Sequence, residues 1–233
     1  MSTSKQSVTN AFNTIVFPVM STDGFIKINN KLFARLLDSQ ILQWVSIYVS
    51  TQLKREYRIE YGTMLISVPA TSFNSTIGGS FSKLSSGGTY GAKTIKMLEL
   101  SIERVLIAYN EEVRPIFLNT STLPKLIAAY KQLKTDDLHL YSTGHPEFNI
   151  ACAYALLYDN SKSSKHAQIA IRNYKTIENE FKNQGITAFW PSEGIKQTEA
   201  LLTALDKKNT ETLFEKWKTF TIEQLKLSIL KKT

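Results

Sequence analysis

Asn30-Lys-Leu-Phe-Ala-Arg-Leu-Leu-Asp-Ser-Gln-Ile-Leu-Gln-Trp-Val-Ser-Ile-Tyr-Val-Ser-Thr-Gln-Leu-Lys-Arg55 is the stretch on which the fold class turns. Its apolar residues Leu32, Phe33, Leu36, Leu37, Ile41, Trp44, Val45 and Tyr48 recur at three- and four-residue steps. That spacing puts them on one face of a helix, so it predicts an amphipathic helix from Asn30 to about Arg55. Lys54, Arg55 and Arg58 gather at its C-terminal end, where the helix dipole favours cations.

Downstream, Tyr57-Arg-Ile-Glu-Tyr61 and Met64-Leu-Ile-Ser-Val68 alternate and are rich in β-branched residues, with Gly62-Thr63 between them. They predict one small β-hairpin. The remaining periodic segments read as helices: Thr94 to Val113, Thr122 to Lys134, Pro146 to Tyr158, Ser163 or Ser164 to just before Gly185, Ser192 to about Lys208, and Asn209 or Thr210 to the C-terminus. The expected fold is therefore mainly α: a two-lobed helical core with one small β-hairpin and extended terminal arms. Residues 1–24, rich in Ser, Thr and Asn, form a flexible N-terminal arm in this reading. Residues 25–115 form an N-terminal lobe, 116–208 a C-terminal helical lobe, and 209–233 a terminal helix that reaches outward.

The chain has 233 residues, 28 Lys+Arg against 20 Asp+Glu, three His and one Cys. A single cysteine excludes a disulfide within the chain, and Cys152 lies in the apolar run Ile150-Ala-Cys-Ala-Tyr-Ala-Leu-Leu157, where a thiol behaves as a small hydrophobe. No apolar run reaches the ~20 residues that cross a bilayer, and residues 1–10 lack the order of a signal peptide, so a soluble protein of a reducing compartment is expected. A net charge of +8 points to an anionic partner, with nucleic acid the commonest.

Motifs for chemistry fail on spacing. In Gly87-Gly-Thr-Tyr-Gly91-Ala-Lys93-Thr94 an alanine separates the Gly and Lys that a phosphate-binding loop keeps adjacent. Ser80-Phe-Ser-Lys83 matches the serine acyl-enzyme tetrad but lacks its companions. His139, His145 and His166 share no metal-ligand spacing, so neither cofactor nor metal is expected. No nucleophile or base is nominated; an enzyme whose site uses unremarkable Ser, Lys and Tyr residues, or a helical interaction scaffold, are the alternatives to a binding protein.

Charge distribution carries more. The 38 positions from Tyr61 to Leu98 hold no Asp or Glu, and within them the Ser/Gly-rich stretch Ser72–Tyr90 reads as a flexible loop carrying Phe81, Lys83 and Tyr90. On helical wheels, Lys93, Lys96 and Arg104 fall away from the core face of the helix at Thr94. Lys165, Arg172 and Lys175 do the same on the helix from Ser164, opposite Ala167, Ala170, Tyr174, Ile177 and Phe181. Phosphates want cations without acidic neighbours and exposed bases want aromatic faces. The candidate RNA-binding set is thus Lys54, Arg55, Arg58, Phe81, Lys83, Tyr90, Lys93, Lys96, Arg104, Lys165, Arg172 and Lys175.

The arm through Phe17-Pro18, the loop Ser72–Tyr90 with Lys83, and the amphipathic tail from Leu213 and Trp217 to Leu230 together resemble the nucleocapsid and coat proteins of RNA viruses with helical or filamentous capsids. The resemblance implies a structural protein that coats single-stranded RNA without reading its sequence. It also implies self-association through the N-terminal arm and the C-terminal helix, no membrane partner, and residence in the virion and the host-cell cytoplasm.

Overall fold

The computed structural model describes residues 5–50, 56–73, 76–133 and 144–232. The described chain divides into two compact units: residues 1–64, 72–120 and 226–233 form the first, and residues 65–71 and 121–225 the second.

The first unit is an antiparallel sheet with helices on one face. Its elements are α1 (Lys5–Ile15), α2 (Phe17–Thr22), β1 (Ile26–Asn29), β2 (Leu32–Leu37), β3 (Ile41–Val49), β4 (Glu56–Leu65), β5 (Ile77–Ser80), β6 (Tyr90–Gly91), α3 (Ile95–Ala108), a π turn (Tyr109–Val113) and α4 (Arg114–Leu118). Strand order is β1-β2-β3-β4-β5, with β6 also paired to β4. One small hairpin within a mainly helical core does not describe this sheet.

The helix expected at Asn30–Arg55 is instead the hairpin β2–β3, with Phe33 opposite Val45 and Ala34 opposite Trp44. Asp38 and Ser39 both take positive φ, and Gln40 N–H donates to Leu37 C=O, as a type I′ turn requires. The helical signal arose because these strands bury both faces. Phe33, Val45 and Ile47 look inward to the helices, while Ala34, Leu42 and Trp44 are buried on the opposite face. A strand covered on both sides shows a continuous apolar run, in which three- and four-residue steps are unavoidable.

β4 runs straight through Gly62-Thr63 rather than turning there, and Gly62 pairs with Gly78. A Cβ on Gly78 would lie 2.2 Å from Tyr61 O, so close backbone approach requires glycine at this register. The expected flexible loop 72–90 thus contributes β5 and the start of β6. Nor are residues 5–24 a loose arm. α1 and α2 bury Val8, Phe12, Val16 and Met20 against the sheet, and the Phe12 ring stacks on Phe33 at 5.1 Å. At the other end, residues 226–232 belong to the first unit, with Leu227 and Leu230 buried.

A polar knot lies in the middle of this apolar layer. Gln43, fully buried, accepts from Arg35 Nε (2.8 Å) and donates to Phe117 O (2.8 Å) and Thr120 Oγ1 (3.1 Å). Arg35 donates onward to Asp23 O and lies over the Phe25 ring at 4.8 Å. The Asp23 carboxylate accepts from Tyr109 Oη (2.6 Å) and Arg114 Nη2 (2.7 Å). Burial pulls the Arg35 pKa down, offset by Tyr109 and Asp23. Burial, reinforced by the Asp23 hydrogen bond, pushes the Tyr109 phenol up, so it stays a donor. The π turn brings Tyr109 into this knot; Pro115, with no N–H to give, sits two residues beyond it.

The second unit is helical: α5 (Leu123–Gln132), α6 (Gly144–Leu156), α7 (Asn160–Asn183), α8 (Trp190–Asp206) and α9 (Thr210–Gln224). α7 lies between α6 and α8 and packs on both. Its approach to α8 needs Gly194, where a Cβ would fall 2.5 Å from Tyr174 Cζ. His145 packs against Trp190 and shares a 3.0 Å hydrogen bond with Tyr174, and burial lowers its pKa. Cys152 is buried and its thiol is pushed up by desolvation, as an inert core residue should be. α9 ends at Gln224, short of the C-terminus, and buries Phe214, Trp217 and Ile222. Thr221 Oγ1 donates to Val68 O (3.0 Å) and accepts from Ala70 N (3.1 Å), tying residues 65–71 to this helix.

Replacing Gln43 by Leu keeps the volume but leaves Arg35 Nε, Phe117 O and Thr120 without this partner. Urea unfolding should show a loss of about 1–3 kcal/mol; an unchanged midpoint would mean the knot does not hold the sheet to α4.

Candidate nucleic-acid interface

The structure sorts the twelve candidate residues by their surroundings. Lys54 and Arg55 lie outside the described residues. Phe81 and Tyr90 are core residues. The Phe81 ring meets Tyr61 edge-on at 5.7 Å, and Tyr90 stacks on Tyr57 at 5.6 Å; the two are 0% and 2% exposed, so neither offers a face to a base. Burial and then the Glu112 charge push the Tyr90 phenol up to about 12, and it donates to Lys83 O at 3.0 Å.

The acid-free run between Tyr61 and Leu98 receives its carboxylates from the π turn. Glu112 accepts from Ser82 N (3.2 Å), Ser82 Oγ (3.0 Å) and Lys83 N (2.7 Å), and Glu111 pairs with Lys83 Nζ. Lys83 is therefore committed, and the segment after β5 is held at three points by one carboxylate. Arg58 is exposed on β4 but pairs with Glu60 at 2.9 Å and lies over the Tyr48 ring at 5.1 Å. Lys93, Lys96 and Arg104 are exposed at the start and along the outer side of α3, where Glu99 and Glu103 interleave with them. A strand of phosphates would meet both signs there.

Lys165, Arg172 and Lys175 are different. Asp159 caps α7 by accepting from Lys162 N, and the helix buries Ala167, Ala170, Tyr174, Ile177 and Phe181. This fixes the opposite side outward, where Lys165, Gln168, Arg172, Lys175, Thr176 and Asn179 are all exposed. None of the three cations forms an ion pair with a described residue, and no carboxylate stands among them. The acidic residues of this helix sit on its flanks. Glu178 takes Lys182 at 3.4 Å; the Ser192 hydrogen bond, with Lys182 and Lys175, holds its carboxyl below the usual range. From Lys165 to Lys175 the row covers about 15 Å of helix at 1.5 Å per residue.

A surface that sequence reasoning missed lies on the first unit. Asn29, Lys31, Ser46, Tyr48, Val49 and Phe73 line an open groove of about 460 Å³. Tyr48, 41% exposed, stands on the sheet face away from the helices, and Phe73 closes one side by packing on Trp44 at 5.1 Å. Such a groove can take a planar group beside Tyr48, one face of whose ring carries Arg58, with an anion near Lys31. Reading Tyr48 as part of a helical core face hid it; the polar-aromatic alternation Ser46-Ile-Tyr48 was the available signal.

Among the described residues no cluster of His, Cys, Asp and Glu could hold a metal ion, and no helix is long and apolar enough to cross a membrane. No protein-family model, curated protein or solved structure matches the chain.

If Glu112 holds the segment at Ser82–Lys83, limited trypsinolysis should cut slowly after Lys83 in the native protein and at least several-fold faster in Glu112→Ala. Equal rates would mean that the three hydrogen bonds do not restrain it.

Proposed function

We propose that the protein binds single-stranded RNA along the outer face of α7, without reading its sequence. One observation carries this: Lys165, Arg172 and Lys175 form a row of cations with no ion-pair partner among the described residues and no acidic residue between them, on a helix fixed by its buried opposite face. Phosphates need cations that are not already neutralised, and a rigid row holds them at fixed spacing. Gln168 and Asn179 are the amides exposed on that face; cations that meet phosphates carry no sequence information by themselves. The role is one of binding and coating rather than catalysis. The terminal segments that the capsid resemblance sends to neighbouring subunits are folded elements, so arm exchange is no part of the proposal.

The groove beside Tyr48 favours a second, separate reading, in which a planar anionic ligand lies beside Tyr48 and places its charge near Lys31.

Fluorescence anisotropy with labelled oligoribonucleotides of different sequence tests the first reading. The triple variant Lys165→Ala, Arg172→Ala, Lys175→Ala should weaken binding by roughly 10–100-fold for every sequence and lower the salt slope by about two, since each phosphate contact on a single strand contributes about 0.7. Its thermal stability should stay within ~0.5 kcal/mol of the parent, as for solvent-facing changes generally. Unchanged affinity, or a strong preference for one sequence, would overturn the reading.

A further inference from the structure

At the C-terminal end of α7 the chain turns at Gly185, whose φ of +68 suits glycine, and Ile186 N–H donates back to Phe181 O at 2.8 Å. The short connection to α8 then presents two apolar side chains to solvent: Ile186 is 45% exposed and Phe189 is 82% exposed. Phe189 is the most exposed large hydrophobic residue among those described. Its neighbour Trp190 does the opposite and packs on His145, Tyr174 and Phe181.

This contrast fixes the geometry. Trp190 anchors the start of α8, and Ser192 Oγ donates to Glu178 Oε1, so the first turn of α8 lies beside the last turns of α7. Glu193 N–H donates to Phe189 O, which makes Phe189 the residue from which α8 springs. Phe189 therefore leaves the connection beside the last turns of α7, where Glu178, held by Ser192, pairs with Lys182 and feels the charge of Lys175. It is held by a rigid backbone and covered by nothing described.

We infer that Phe189 is a base-stacking platform at the end of the α7 cation row, taking the face of one nucleobase while the cations take the phosphates. This rests on the RNA reading above and assigns it a residue that sequence reasoning did not select. An aromatic ring beside cations on a rigid element is the combination that holds single strands, because every base has a face to stack and the ring need not distinguish among them. The ring supplies no edge recognition of its own, so the platform adds no sequence preference.

The test compares two polyanions on the full chain: a single-stranded oligoribonucleotide and inorganic polyphosphate, which has charge but no bases. Phe189→Ala should weaken RNA binding by about tenfold and leave polyphosphate binding unchanged, and Phe189→Tyr should bind RNA within about twofold of the parent, because the tyrosine ring also stacks. The triple cation variant should weaken both ligands. If Phe189→Ala binds RNA like the parent while the triple variant does not, the platform is wrong and the cation row stands. If Phe189→Ala weakens polyphosphate as much as RNA, stacking is not what was removed and the inference fails. If the triple variant binds RNA like the parent, the α7 reading itself fails.

Discussion

A buried amide must find its partners, and the first unit is organised around the one at Gln43. Its side chain lies in the layer between sheet and helices, where losing a hydrogen bond has no compensation from water. The partners come from three separate parts of the chain: Arg35 on the neighbouring strand, Phe117 in α4, and Thr120 just beyond it. Through Arg35 the knot extends to Asp23 after α2, and through Asp23 to Tyr109 and Arg114. Apolar packing drives the layers together but is indifferent to register; these directional bonds fix which turn of which helix faces which strand. The π turn follows from the same demand, since it places Tyr109 in the knot and Glu112 on the segment after β5.

That arrangement also decides where positive charge remains available. Carboxylates from the π turn and from β4 neutralise Lys83 and Arg58, and α3 alternates cations with Glu99 and Glu103. The aromatic rings that the sequence places among these cations serve the core instead. In the second unit the distribution is reversed. α7 directs its acidic residues to the flanks and keeps its outer row cationic, and the connection that follows it exposes Phe189. A net charge of +8 is a property of composition; where cations stand apart from carboxylates is a property of the fold.

The sequence was legible where one face is wet and opaque where none is. Most helices of the second unit and the outward row on α7 follow from ordinary amphipathic periodicity, and the burial of Cys152 from the unbroken apolar run around it. β2 and β3 were misread because burial on both faces erases the alternation that marks a strand. Asp38-Ser39, a turn-forming pair in the middle of the supposed helix, and the β-branched run Val45, Ile47 and Val49 were the local signals against it. Phe81 and Tyr90 were misplaced for a related reason. A Ser/Gly-rich run looks like a free loop, yet its few large residues are what the strand pairing draws inward. The role of Glu112 could not be read at all, because nothing local links it to Ser82, thirty residues away. Phe189 and the groove at Tyr48 depend on exposure, which appears only once the chain is folded.

Lysine-acetylation footprinting with and without a single-stranded oligoribonucleotide tests the central claim most directly, because it reports each amino group separately in the intact chain. Bound RNA should protect Lys165 and Lys175 while Lys93, Lys96 and Lys207 stay as reactive as in the free protein. Protection of Lys93 and Lys96 with no change at Lys165 and Lys175 would place the strand on α3 and contradict the account.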